Sequence, residues 1–265
     1  MSQALTLNIG WLYPNLMSTY GDRGNVICLQ RRCQWRNILV NIVPLDQKVN
    51  ASCFSQMDII VGGGAQDRQQ EIVMRDLRGA KAEMLKFKLD QGTPGVFTCA
   101  SPQLLGHYYE SSSGQRINGL GLLDIVTKHS GSKISRCVGN MVFQITASPL
   151  VEDIKEISGK NPVIIGFENH GGRTYLGNVQ PLGKIILGYG NNGEDGYEGV
   201  FYRNAIATYS HGPLLAKNSF IADWLIKTAL KEKYQKDIKL ANIDDDLEKQ
   251  ARKVILKKLK LSSSM

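Results

Sequence analysis

The strongest constraint on the fold lies in the first hundred residues, where short apolar runs alternate with segments of helical period. A chain so written builds a parallel sheet with crossover helices. Leu5-Thr6-Leu7-Asn8-Ile9, Ile38 to Val43 and Met57 to Val61 read as strands, the last ending in Gly62-Gly63-Gly64. After the Gly21-Asp22-Arg23-Gly24 turn, Val26, Leu29 and Cys33 recur at helical spacing, with Arg31, Arg32 and Arg36 facing away. Val73, Leu77, Ala80, Met84 and Phe87 predict one long amphipathic helix closed by Gly92, and Gly95-Val96-Phe97-Thr98 a fourth strand that breaks at Cys99.

From Gly119 onward strand-like segments (Leu122 to Thr127, Met141 to Thr146, Val163 to Phe167, Lys184 to Leu187) are separated by glycine-rich turns, and they are expected to extend the sheet. Ala205 to Tyr209 is a further strand, and Ser219 can cap a helix carrying Ile221, Trp224 and Leu225. We divide the chain into one domain over 1-235 and a basic tail over 236-265, helical in part, where Leu247, Ala251, Ile255 and Leu259 share one side. This tail is expected to be solvated or to dock on a protein.

The 265 residues carry a net charge of +8, which invites a nucleic-acid reading. Much of the excess lies between Lys227 and Lys260, unaccompanied by any nucleic-acid-binding pattern, so no nucleic-acid partner is expected. No apolar run approaches the ~20 residues of a membrane span, and the N-terminus reads as strand rather than signal, which together predict a cytoplasmic protein. The five cysteines form no CxxC pair, against a disulfide framework or a zinc site.

Chemistry concentrates at Cys99. A cysteine at a strand-to-helix turn presents its sulfur at the carboxyl edge of a sheet, near the positive end of the helix that follows, although a lone cysteine is also an ordinary small hydrophobe. Thiol attack on an amide needs a base, most often histidine. His107 is placed inside the next helix, pointing away, and His129 in a polar loop. His170 and His211 remain, and His211 follows directly on a strand, at the end where open α/β sheets place their sites. The Gly62-Gly63-Gly64 turn can expose backbone N–H groups to an oxyanion, with the Ala100 amide as a further donor. No GxxxxGK[ST] phosphate loop occurs, so ATP binding is not expected.

These residues resemble the cobyric-acid-synthase-like branch of class I glutamine amidotransferases, and within it the amidotransferase subunits of lipid II isoglutaminyl synthases. The matching segments are Leu12-Tyr13-Pro14, Tyr20 to Asn25, Gly62 to Gly64 with Gln66-Asp67, Gln103 to Gly106, Arg136 with Gly139-Asn140, Gly166 to Gly177, Gly188 to Gly196 and His211 to Leu215. The resemblance implies an α/β, flavodoxin-like three-layer sandwich with a mostly parallel central sheet. It implies Cys99 as nucleophile and His211 as base, Arg136 and Gln103 at the substrate glutamine, and Gly63, Gly64 and Ala100 as oxyanion donors, with no metal and no cofactor. It further implies a heterodimer in which ammonia passes to a Mur-ligase-like, ATP-dependent partner that amidates the D-glutamate of a peptidoglycan precursor. A cobyrinate-type amidotransferase and an inactive, regulatory relative are the competing readings.

Two departures stand out. Where the family typically has Cys-Gly-Gly-Tyr-Gln, this chain has Cys99-Ala100-Ser101-Pro102-Gln103, and the Cβ of Ser101 is expected to crowd the turn. The acid common two positions after the histidine is replaced by Pro213, so the third member of the relay is expected from the partner, or else from Glu168 or Asp195.

Overall fold

The computed structural model describes residues 4–131, 134–159 and 163–262; the first three residues of the N-terminus and the last three of the expected tail lie outside these. The elements run β1 (Thr6–Leu12), α1 (Arg23–Gln34), β2 (Leu39–Leu45), α2 (Ala51–Ser55), β3 (Ile59–Gly62), α3 (Asp67–Asp76), α4 (Ala80–Asp90), β4 (Gly95–Thr98) and α5 (Ala100–Leu105). They continue through β5 (Tyr108–Glu110), β6 (Arg116–Asn118), β7 (Ile125–His129), β8 (Cys137–Ile145), α6 (Leu150–Ser158), β9 (Val163–His170) and β10 (Gly172–Leu176). The remainder is β11 (Gln180–Leu187), β12 (Tyr197–Tyr202), β13 (Ala205–Thr208), α7 (Leu214–Lys217), α8 (Ser219–Tyr234) and α9 (Asp246–Lys258).

Nine strands form one sheet in the order β2-β1-β3-β4-β13-β12-β11-β8-β9. Pairing is parallel from β2 to β13 and antiparallel from β13 to β9. The parallel character is thus confined to the crossover half, and the sheet is mixed. Not every later strand extends it, because β10, β7, β5 and β6 form a separate four-stranded sheet.

β3, β4 and β13 are buried at every position, as strands covered on both faces must be. Alternation along them feeds two cores. Ile59, Val61 and Val96 point into one with Val26, Leu29, Ile154, Trp224 and Leu225. Ile60 and Phe97 point into the other with Phe54, Val73, Leu85 and Leu104. Helices α1, α6 and α8 therefore cover one face and α2 to α5 the other, the three layers expected.

Several local expectations are corrected. The long helix after β3 is two helices, because Gly79 takes a positive φ of 52° between α3 and α4. Ser219 is the first residue of α8 rather than its cap; Asn218 precedes it and uses its side chain to bond both backbone groups of Ile165. Arg32 and Arg36 do not face solvent. Arg32 is 2% exposed and forks to Asp223 and Asp245, and Arg36 joins Asp223 at 2.9 Å. Within the segment read as a partly helical tail, solvated or docking on a protein, α9 packs on the body of the chain itself: Leu256 is buried, and Arg252 donates to the Asn218 side chain at 2.7 Å and to the Val163 carbonyl.

Candidate active site

Strands β1, β3, β4 and β13 run parallel, so their carboxyl ends open on one edge, and the chain leaving each contributes to a single cluster. β4 ends at Thr98 and delivers Cys99. The residue adopts φ 56° and ψ −98°, a conformation that costs a non-glycine residue about 1–3 kcal/mol and is typical of functional turns. Its amide is held by the Thr208 carbonyl of β13 at 2.8 Å, and it is 8% exposed.

β13 delivers His211, which is fixed by two backbone hydrogen bonds with Phe167: the His211 amide donates at 2.8 Å and its carbonyl accepts at 3.1 Å. The ring is 1% exposed. Nδ1 meets Asp22 Oδ1 at 2.9 Å. Nε2 is buried without an aligned hydrogen-bond partner among the described residues, and Cys99 is within electrostatic reach of the ring. Burial opposes the imidazolium, but the negative charge of a Cys99 thiolate and of Asp22 outweighs it, and the His211 pKa is raised to about 10.

Asp22 was not found by sequence reasoning. It lies in the loop after β1, in the Tyr20-Gly21-Asp22 turn at the start of α1, and is 2% exposed. Its other oxygen accepts the Gly64 amide at 2.6 Å. The signal that could have found it is an acid just beyond a β1 carboxyl end, inside a segment that carried the family resemblance. The two carboxylates weighed in the sequence are engaged elsewhere. Glu168 accepts from the amides of Tyr189 and Gly190 and faces His170 at 3.4 Å, and Asp195 accepts from Asn192 and Tyr197. The acceptor on His211 comes from neither of them, nor from a second chain.

Gly64 packs into the middle of this group. A Cβ there would stand 3.3 Å from Asp22 Oδ2, from Cys99 Cβ and from His211 Cε1 alike. Its amide, expected to bind an oxyanion, is taken by Asp22, which leaves Gly63 and Ala100 from the expected donors. Ser101 does not crowd the turn. Its hydroxyl donates to the Gly63 carbonyl at 2.7 Å, and the space it fills is the one that Gly62 leaves by lacking a side chain.

Gln103, expected at the substrate, is 5% exposed; its amide donates to the Tyr209 hydroxyl at 3.1 Å and accepts from Gln70 at 3.0 Å. Arg136 is exposed, with Nε and Nη2 held by Asn169, the oxygen of its side chain and of its backbone respectively. His107 lies beyond α5 rather than within it and pairs with Asp124 at 2.9 Å. His129 ends β7, where its Nδ1 accepts the Gly131 amide.

A second cysteine, acid and histidine also meet. Ligating atoms of Cys137, Glu168 and His170 lie within 4.8 Å of one another and all three residues are buried. Cys137 is the first residue of β8, paired with His170 of β9, rather than the pivot of a strand-to-helix turn, and burial pushes its thiol up to about 11 in spite of Arg173, whose Nη1 lies 2.6 Å from the sulfur. Burial lowers the pKa of His170, whose ring is stacked on Tyr209 at 3.7 Å with Nδ1 bonded to the Gly172 carbonyl. A nucleophile needs room for a substrate, and a cation would meet the guanidinium of Arg173. This set therefore reads as an internal polar network.

A cysteine on a strained strand-to-helix turn, a histidine beside it and a carboxylate behind the histidine, all at the carboxyl edge of a three-layer α/β sandwich, define a class I glutamine amidotransferase. Comparison with known proteins agrees: residues 8–219 match the model of the CobB/CobQ-like glutamine amidotransferase domain, and the chain belongs to that family. It is thus a glutamine amidotransferase enzyme, similar along nearly its whole length to the lipid II isoglutaminyl synthase (glutamine-hydrolyzing) subunit GatD. Identity is 37% to that of Staphylococcus aureus (strain N315), over 94% of this chain and 95% of the relative. It is 38% to that of Streptococcus pneumoniae (strain ATCC BAA-255 / R6), over 91% and 87%. Among solved structures, the glutaminase domain of Trypanosoma brucei CTPS, with bound acivicin, superposes with a TM-score of 0.56 at 11% identity, covering 89% of this chain and 96% of that one, a likeness of fold.

Proposed function

We propose that this chain is the glutaminase half of a two-subunit amidating ligase and that Cys99, His211 and Asp22 carry the reaction. The observation that supports this most is the relay itself, with Asp22 on one nitrogen of His211 and Cys99 beside the ring. Asp22 fixes the tautomer and stabilises the imidazolium. The Cys99 sulfur attacks the side-chain amide carbon of glutamine, the C–N bond breaks, and the leaving nitrogen takes a proton from His211 to depart as ammonia. Water, deprotonated by His211, then opens the thioester, which releases glutamate and restores the thiol. The backbone amides of Gly63 and Ala100 are the oxyanion donors in this reading. Arg136 pairs with the α-carboxylate of glutamine through the guanidinium edge that Asn169 leaves open.

The two similar proteins are named as glutamine-hydrolyzing subunits of lipid II isoglutaminyl synthase. By that likeness, ammonia made here serves a Mur-ligase-like, ATP-dependent partner in the cytoplasm, where it amidates the D-glutamate of the lipid II stem peptide. The lack of a phosphate-binding loop in the sequence fits a division in which the partner handles ATP, and among the described residues no helix is long and apolar enough to cross a membrane. The test is glutamate release from glutamine by the purified chain with and without the ligase subunit. Cys99→Ser is expected to abolish it and His211→Ala to come close, with His170→Ala distinctly milder. A few-fold loss for Cys99→Ser, or a reversed order of the histidines, overturns the assignment.

A further inference from the structure

The relay does not use Glu198, yet this carboxylate is fully buried directly behind it. Glu198 lies on β12, and its Oε1 accepts the Thr208 hydroxyl at 2.6 Å and the Tyr209 amide at 2.7 Å. The Thr208 hydroxyl in turn accepts the Ser210 amide at 2.9 Å. One carboxylate oxygen therefore organises three consecutive residues. Those residues join the two reacting groups, because the Thr208 carbonyl holds the Cys99 amide and the next residue after Ser210 is His211. Oε2 is buried and has no aligned hydrogen-bond partner among the described residues. The strand carrying Glu198 is itself clamped, since Asn191 Oδ1 accepts the Gly199 amide and the Asn191 amide donates to the Tyr197 carbonyl.

We propose that Glu198 is a positioning residue of the glutaminase centre: by gripping the Thr208 hydroxyl and the Tyr209 amide from behind, it sets the placement of His211 relative to Cys99. The proposal rests on the reading of those two as the reacting pair. A carboxylate with one oxygen unpartnered is a poor choice for packing alone, because burial of charge is unfavourable. Burial pushes its pKa up to about 7, and the nearby Glu168 acts in the same direction. A proton on Oε2 leaves Oε1 free to accept both bonds, so the grip persists in either protonation state. An amide carbonyl placed where Oε1 stands can make the same two contacts.

The experiment compares Glu198→Ala, Glu198→Gln and Thr208→Val in the full chain, with Cys99→Ala as control. It measures kcat and KM for glutamine hydrolysis together with the melting temperature. A displacement of reacting groups acts on the chemical step. Glu198→Ala is therefore expected to lower kcat at least about tenfold with KM within about twofold, and Glu198→Gln to restore kcat to within about threefold of the parent. Thr208→Val removes the hydroxyl arm of the grip together with the acceptor of the Ser210 amide and is expected to lower kcat several-fold, which keeps the test open if Glu198→Ala does not fold. A folded Glu198→Ala with unchanged kcat overturns the proposal, as does Glu198→Gln falling as far as Glu198→Ala, or, where Glu198→Ala does not fold, Thr208→Val with kcat unchanged. Activity surviving in Cys99→Ala overturns instead the assignment on which the proposal stands.

Discussion

At the scale of single residues, the proposed relay turns on Asp22, the carboxylate that meets His211. Asp22→Asn keeps the shape of the side chain but gives the imidazole a neutral neighbour that can enforce the wrong tautomer, and such a change costs on the order of 10²–10⁴ in turnover. Glutamine hydrolysis by this variant is expected to drop by that amount with the fold retained; a loss under about tenfold removes Asp22 from the relay. The same ring predicts a pH effect. Its folded pKa, about 10, lies above the ordinary 6.5, so the folded state binds this proton more tightly than the unfolded one. The resulting stability is complete below about pH 6.5 and is lost as pH rises through about 10. The melting temperature should fall across that window, and by less in Asp22→Asn; equal slopes count against the pairing. The positions of Cys99 and His211 at one sheet edge were legible in the sequence because each follows a readable strand. Asp22 was not, because the pair is 189 positions apart and only the sheet order brings the end of β1 to the end of β13.

At the scale of elements, the crossover half was readable because its strands are buried on both faces and its helices carry an apolar period. The second sheet was not, since β5 and β6 have three residues each, too few to show alternation. The break between α3 and α4 was hidden for a different reason. The spacing of Val73, Leu77, Ala80, Met84 and Phe87 continues across Gly79, yet Phe87 is 55% exposed, so the period ran on where the chain did not. The turn after β3 and the turn after β4 form one unit, and that unit gives a prediction. A Cβ on Gly62 would fall 2.5 Å from Ser101 Oγ, so Gly62→Ala should destabilise by about 1–3 kcal/mol through overpacking. Adding Ser101→Gly removes the obstructing hydroxyl and should recover most of that loss, a coupling that a double-mutant cycle in urea reads directly. Strict additivity would show that the two turns are independent.

At the scale of the molecule, the segment read as a basic tail is fastened to the body through Arg252, which donates to the Asn218 side chain and the Val163 carbonyl, and through its acid Asp245. Arg32 joins α1 to α8 through Asp223 and to the start of α9 through Asp245, with its own side chain 2% exposed. Removing one partner of a buried ion network strands the others, at a cost of about 3–5 kcal/mol. Arg32→Ala should therefore shift the urea midpoint strongly, and a change under about 0.5 kcal/mol, the level of an ordinary surface substitution, would mean that α9 is not part of the cooperative unit. The contact between Gly24 and Pro213 works at the same scale. A Cβ on Gly24 would lie 2.1 Å from Pro213 Cγ, and the Leu215 amide donates to Asn25 at 3.0 Å, so the start of α1 is seated on the loop that carries His211. The proline standing where an acid is customary thus packs against the start of the helix that Asp22, the carboxylate meeting His211, immediately precedes. During synthesis the carboxylate and the thiol emerge long before the imidazole. On the proposed reading, a nascent or prematurely ended chain that stops short of residue 211 has a sulfur with no base, and ammonia production begins only in a molecule that has been read to that point and has closed its sheet.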